Sequence, residues 1–395
     1  MRIDDIRVTT LVFAYPEQDR FRYAGGRCTH RVTSLIEVVA DDGTVGIGSA
    51  YSHPRLVEIV VADQLLPLLR GEAIDDVRRL WRAMYAGTRW FGRKGAVMSA
   101  IGAVEVALWD LLGKQLGLPV HRLLGGDGVR SVPAYASALL WADHLPDLTP
   151  EAERHRNNGF RRMKMRLGRS SDYDLAALDA VISGAGSDAE VIVDGSMRYT
   201  VDQARLLSTE LARRKVFWFE EPLQPEDIDG FVALRPQSAV PVAAGENEFG
   251  VQGFAELLRS DAVDIVQPDV SRCGGIGEAR AVAELAARAG KRFAPHSWSD
   301  AIAVMANAHV VASMPNGITV EIDQSRNPFV DQLLVSPLTV RDGLLNLPDA
   351  PGLGIELRRE VVERYRLPSD ATPPAGTYSD MIFGGERLHQ IAPYG

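Results

Sequence analysis

The chain has 395 residues, 46% hydrophobic and 24% charged, which suits a soluble globular protein of two or three domains, or one large domain with a cap. Its net charge of −9 at pH 7 sets a surface field that repels nucleic acid and anionic membranes, so neither is an expected partner. Two cysteines, Cys28 and Cys273, are too few for a disulfide framework or a cysteine-rich zinc site and read as reduced structural thiols.

The start, MRIDDIRVTT, is charged and strand-like and shows no signal-peptide pattern. No run of about 18 apolar residues is visible, so no membrane-spanning helix is expected and a cytoplasmic location follows. RIDDIRVTTLVFA and SLIEVVADDGTVGIGSAY read as strands, with a hairpin turn at Asp42-Gly43. The polar, aromatic stretch PEQDRFRYAGGRCTH between them reads as a loop. After Pro54, LVEIVVADQLLPLLRG, DDVRRLWRAMYAG and VMSAIGAVEVALWDLLGKQLG carry apolar residues at three- and four-residue steps, as helices do. Residues 1–130 therefore read as an α+β capping domain.

From residue 131 short apolar strands alternate with helical segments. The strands are VPAYAS, RRMKMRL, VIVDGS, VFWFEEPL, VPVAAGE, VDIVQPD, RFAPHSW and ITVEID. Helices such as VDQARLLSTELARR and GIGEARAVAELAARAG lie between them. The eighth strand is followed by the turn-rich VRDGLLNLPDAPGLGIEL in place of a helix. The expectation is an α/β fold: a modified (β/α)7β barrel of the TIM type over 131–340, with 341–395 returning to the capping domain. Glycine-rich CGGIGE (Cys273 to Glu278) reads as a tight turn after strand six, not as a phosphate loop.

The informative feature is that barrel strands end in charged residues. Strand two ends in Lys164-Met165-Arg166, strand three in Asp194, strand four in Glu220-Glu221-Pro222 and strand five in Glu246. Strand six ends in Asp269, strand seven in His296 and strand eight in Glu321. Counted from Lys164, the steps are 30, 26, 26, 23, 27 and 25 residues, each the length of one βα unit. These side chains thus recur at one height, the C-terminal rim where barrel enzymes place their active sites. Three carboxylates on consecutive strand ends, Asp194, Glu220 and Glu246, would repel one another unless a cation sat between them. An all-oxygen set without Cys or His favours Mg²⁺ over zinc. Such a cation also lets an acidic protein hold an anionic substrate.

In order and spacing, the Lys-x-Arg strand, the VDG aspartate, FEEP, AGEN, QPD and PHSW resemble the enolase superfamily. Within it they resemble the mandelate racemase/muconate lactonizing enzyme family, and its mandelate racemase-like subgroup in particular. ALWDLLGK and the LLGG turn are similar to that family's capping domain, so the resemblance covers nearly the whole chain. It implies Asp194, Glu220 and Glu246 as Mg²⁺ ligands, His296 and Asp269 as a base dyad, and Glu321 as a general acid near the enolate oxygen. Lys164 would neutralise the enediolate formed when a proton leaves the carbon α to a carboxylate. His296, with an ordinary pKa near neutrality, suits the base, and Asp269 would orient its ring. Tyr23, Arg27 and His53 would lie in cap loops over the barrel mouth, and Trp298, with Trp90, would line the pocket.

Two positions depart from the subgroup. Arg166 stands where a second lysine base is often found, and arginine is a poor base but a good carboxylate clamp. Gly195-Ser196-Met197-Arg198 follow the third-strand aspartate, where relatives often carry asparagine. Both favour one-base chemistry: dehydration of a sugar acid to a 2-keto-3-deoxy acid. Racemase or epimerase, lactone cycloisomerase, and a sugar-acid binding protein on a decayed barrel stand as alternatives. The resemblance also implies a homo-oligomer, from dimer to octamer.

Overall fold

The computed structural model describes residues 1–374, the backbone of two strands at 377–378 and 381–387, and Tyr394. The chain opens with strands β1 (Ile3–Ala14), β2 (Phe21–Tyr23), β3 (Gly26–Ala40) and β4 (Val45–Ala50), paired antiparallel around β3. The expected loop between the first two strand runs contains β2, whose Phe21 and Tyr23 pair with Cys28 and Gly26. Ring packing explains the difference. The rings of Phe21 and Tyr23 lie 6.0 and 5.7 Å from that of Trp298, so tertiary packing overrides the polar texture of the segment.

Helices at Pro54–Val60, Val77–Thr88 and Ala96–Leu116 complete the cap. The last is long and apolar enough, by length and composition, to cross a bilayer, although Glu105, Asp110 and Lys114 interrupt its apolar run. Here it is a core helix, buried along most of its length. It lies directly on β4, where a Cβ at Gly46 or Gly48 would collide with the carbonyls of Ala107 and Ala103.

Eight parallel strands follow: β5 (Ser131–Ser137), β6 (Arg162–Arg166), β7 (Glu190–Asp194), β8 (Phe219–Glu220), β9 (Val242–Ala244), β10 (Ile265–Val266), β11 (Arg292–Phe293) and β12 (Val320–Asp323). Each pairs with the next up to β11, and β12 pairs with β5. The ring closes through the residues entering β12: Phe293 donates its N–H to the Asn316 carbonyl at 2.9 Å, and Ile318 donates to that of Phe293 at 2.9 Å. Helices at Leu148–Asn157, Ser171–Ala185, Val201–Arg213, Ile228–Leu234, Gly250–Arg259, Ile276–Arg288 and Ala301–Ser313 separate the strands. After β12 a hairpin, β13 (Val340–Arg341) and β14 (Leu344–Asn346), pairs antiparallel with the start of β5. The tail strands β15 (Thr377–Tyr378) and β16 (Met381–Arg387) pair with each other, and β16 joins the cap sheet beside β3.

Strand alternation sets the layers inside the barrel. Ile192, Trp218 and Ala294 form part of a buried apolar floor, and each lies two residues before a rim residue: Asp194, Glu220 and His296. Cap and barrel are tied by a wholly buried ion pair. Arg31 of β3 binds Asp323 at the end of β12 and donates to the Trp298 carbonyl at 3.3 Å. Removing one partner strands the other charge in the interior. Arg31→Ala should therefore cost about 3–5 kcal/mol of stability in urea unfolding. A loss below about 1 kcal/mol would mean that the pair is not a strut.

Candidate metal centre and active site

Asp194 ends β7 and Glu220 ends β8, opposite one another in register, and Glu246 lies two residues beyond β9. One ligand oxygen from each lies within 4.8 Å of those of the other two. Two cations offset this charge. Lys164 of β6 places Nζ 2.7 Å from Glu220 Oε1, 2.6 Å from Glu321 Oε1 and 3.7 Å from Asp194 Oδ2. Arg166, two residues on, pairs with Asp194.

The fields at these groups follow from that packing. Burial would raise the Glu246 pKa, but His296, Lys164 and Arg166 outweigh it and hold the carboxyl below its usual range. Burial likewise opposes ionisation of Glu321, and Lys164, His296 and Arg166 overcome it. Glu221 is pushed up to about 8, by burial first and then by Glu246 and Glu220. Glu246 Oε2 is buried with no hydrogen-bond partner among the described residues. An oxygen-only donor set with an orphaned, charged oxygen fits a hard divalent cation such as Mg²⁺.

His296, just past β11, reaches the same pocket. Its Nδ1 lies 2.8 Å from Asp269 Oδ2, and its Nε2 lies 3.7 Å from Glu246 Oε2 and 3.9 Å from Glu321 Oε2. Asp269 is itself fixed. Its Oδ1 accepts from Ser271 N at 2.9 Å and from Ser271 Oγ at 2.6 Å. Asn307 Nδ2 donates to the His296 carbonyl at 3.1 Å, which holds the loop. Burial would lower the His296 pKa, but Glu246, Glu321 and Asp269 raise it to about 9. A divalent cation among the carboxylates would cancel part of that field and return the ring towards the range of a base.

Two family models divide the chain between them. The mandelate racemase/muconate lactonizing enzyme N-terminal domain matches residues 7–125, and the enolase C-terminal domain-like family matches 147–361. The chain belongs to the enolase superfamily. D-galactarolactone cycloisomerase of Agrobacterium fabrum is 34% identical over 88% of this chain and 95% of its own length. Arabinonate dehydratase of Saccharolobus solfataricus is 32% identical over 93% of this chain and its full length. A racemase from Streptomyces coelicolor, solved with bound magnesium, superposes with a TM-score of 0.85 at 28% identity, covering 92% of this chain and all of that one.

Within this superfamily fold, the cap residues expected at the mouth divide. Tyr23 and Trp298 are at the site: the Arg166 guanidinium lies 4.7 Å from the Trp298 ring and 5.9 Å from that of Tyr23. Arg27 is held away by Glu17 at 2.5 Å and lines a separate polar cavity with Arg22, Trp141 and Arg326. His53 precedes the helix Pro54–Val60, and it is Tyr51, two residues earlier, whose ring lies 5.8 Å from His296. Trp90 is 81% exposed, with Arg89 over its ring at 5.0 Å, and is not drawn into the cluster. CGGIGE is a turn: Gly274 and Gly275 have φ of +117° and +102°, and a Cβ at Gly275 would strike Glu105. That buried glutamate accepts from Ile276 N and Gly277 N at 2.8 and 2.9 Å, so the cap satisfies a barrel helix N-terminus.

Sequence reasoning missed Tyr51, Trp218 and Gln267. Trp218 carried a signal: two residues before Glu220 on one strand, it must face the same interior. Gln267 carried the same signal, two residues before Asp269 in the QPD motif, whereas Tyr51 carried none apart from the three-dimensional packing.

Proposed function

We propose that this protein removes the proton α to the carboxylate of a sugar acid and then expels the β-hydroxyl as water, giving a 2-keto-3-deoxy acid. The observation that carries this reading is the asymmetry of the pocket. Among the described residues, His296, held by Asp269, is the side chain there placed to exchange a proton. Arg166, on the second strand, has its pKa raised: burial opposes ionisation, but Glu246, Glu220 and Glu321 outweigh it. A group so firmly charged holds a carboxylate or hydroxyl and does not take up a proton.

Mg²⁺ held by Asp194, Glu220 and Glu246 would supply positive charge where the substrate carboxylate gains its second negative charge. Lys164, now shared between Glu220 and Glu321, would turn to the substrate carboxylate and stabilise the same charge. Glu321 is then relieved of its ammonium partner beside a new anion, which raises its pKa and lets it donate a hydrogen bond to the enediolate. His296 takes the α-proton and can return it to the departing hydroxyl.

Lys164→Ala should accordingly lower kcat by about 10²–10³-fold with the fold intact by circular dichroism. Near-normal turnover would reduce the lysine to a charge that neutralises carboxylates at rest.

A cycloisomerase is the second reading, favoured by the 34% identity to D-galactarolactone cycloisomerase. It shares the α-proton abstraction, but the leaving oxygen stays on the carbon skeleton. A screen of acid sugars and their lactones with Mg²⁺, read by mass, separates the two: dehydration removes one water and isomerisation leaves the mass unchanged. No turnover of any acid sugar would return the protein to the binding class.

A further inference from the structure

Glu220 is held by hydrogen bonds on both of its carboxylate oxygens. Its Oε2 accepts from two neutral N–H donors, Trp218 Nε1 at 3.1 Å and Gln267 Nε2 at 2.8 Å. Its Oε1 carries Lys164 Nζ at 2.7 Å. All four side chains are buried. The donors come from different places in the chain. Trp218 immediately precedes β8, two residues before Glu220 and one layer down, its ring edge-on to Tyr135 at 5.7 Å, and Gln267 follows β10.

An ionised carboxylate offers about four acceptor directions, two on each oxygen. In Glu220 both directions on Oε2 are filled, and one of the two on Oε1 is taken by Lys164. A single direction, on Oε1, is left for a cation. We infer that Trp218 and Gln267 are positioning residues that confine Glu220 to one-oxygen coordination, and that this pair selects Mg²⁺ over Ca²⁺. The physical basis is the difference between the ions. Mg²⁺ demands a near-ideal octahedron of single oxygens, whereas Ca²⁺ takes six to eight oxygens and readily accepts both oxygens of one carboxylate. With Oε2 engaged in two hydrogen bonds, the extra contact that favours the larger ion is closed off.

The inference rests on the metal reading of Asp194, Glu220 and Glu246. It is tested by Mg²⁺ and Ca²⁺ titration calorimetry on the full-length, metal-free chain, with no substrate present. Trp218→Phe keeps an aromatic ring in the floor and removes the N–H. Gln267→Met keeps much of the volume and removes the amide, and provides an independent variant should the tryptophan change unfold the protein. Each should weaken Mg²⁺ binding about tenfold, as loss of a hydrogen bond to a metal ligand does elsewhere. Ca²⁺ binding should weaken less or strengthen, so the preference for Mg²⁺ over Ca²⁺ falls in both variants. A role confined to stability would shift the melting temperature and leave that ratio in place. An unchanged ratio in the folded variants, with the parent chain binding Mg²⁺, overturns the clamp alone. Failure of the parent chain to bind Mg²⁺ at all overturns the metal reading and the clamp with it.

Discussion

Glu220→Gln should abolish turnover and saturable Mg²⁺ binding together. The substitution preserves volume and removes one of three negative charges whose ligand oxygens lie within 4.8 Å of one another. It also faces Lys164, Trp218 and Gln267, three donors, with an amide whose own N–H₂ group cannot accept from them. Several kcal/mol of transition-state stabilisation go with the ion, which at tenfold per 1.36 kcal/mol is a loss of about 10³-fold or more in kcat. Asp194→Asn and Glu246→Gln should behave alike, because each removes a charge from the same cluster. Chelation of the parent enzyme should mimic all three, with activity restored by added Mg²⁺. Full activity in excess chelator would sink the metal reading.

Much of this site was legible in the sequence because two regularities coincide. Residues two apart on a strand face the same way, and a βα unit repeats about every 25 residues. Charged residues at that interval, from Lys164 to Glu321, must therefore ring one end of the barrel. They do: Arg166, Asp194 and Glu220 stand in register across β6, β7 and β8. What was not legible depends on contacts between distant segments. Phe21 and Tyr23 form a strand because Trp298 gives their rings a buried face. Arg27 points elsewhere because Glu17 captures it, and nothing local in the sequence announces that pair. The Arg31–Asp323 tie joins residues 292 positions apart and leaves no periodic trace. The apolar spacing of the long cap helix marks it as a helix. Its contacts, through Glu105 with a barrel turn and through its alanine carbonyls with Gly46 and Gly48, emerge only on folding.

The second large effect concerns the base. A racemase must move a proton on both faces of the α-carbon and needs two groups of moderate pKa on opposite sides. Among the described residues the pocket supplies His296 on one side, set by its 2.8 Å bond to Asp269. Arg166 could act as the other only as a neutral guanidine. A guanidinium holds its proton firmly at neutral pH, and although burial opposes the charge, Glu246, Glu220 and Glu321 outweigh it and hold that proton more firmly still. Lys164 could serve only by leaving the charge it neutralises. His296→Asn keeps a polar side chain beside Asp269 and removes the one competent base, so both proton abstraction and the water loss that follows should stop.

The most direct test of one-base chemistry is proton NMR in D₂O on an acid sugar that the parent enzyme turns over, incubated with Mg²⁺ and purified His296→Asn. The α-proton signal should stay at full intensity and no dehydrated product should form. Wash-in of deuterium at the α-carbon with the variant would reveal a second base on the other face, and the enzyme would then be a racemase or epimerase.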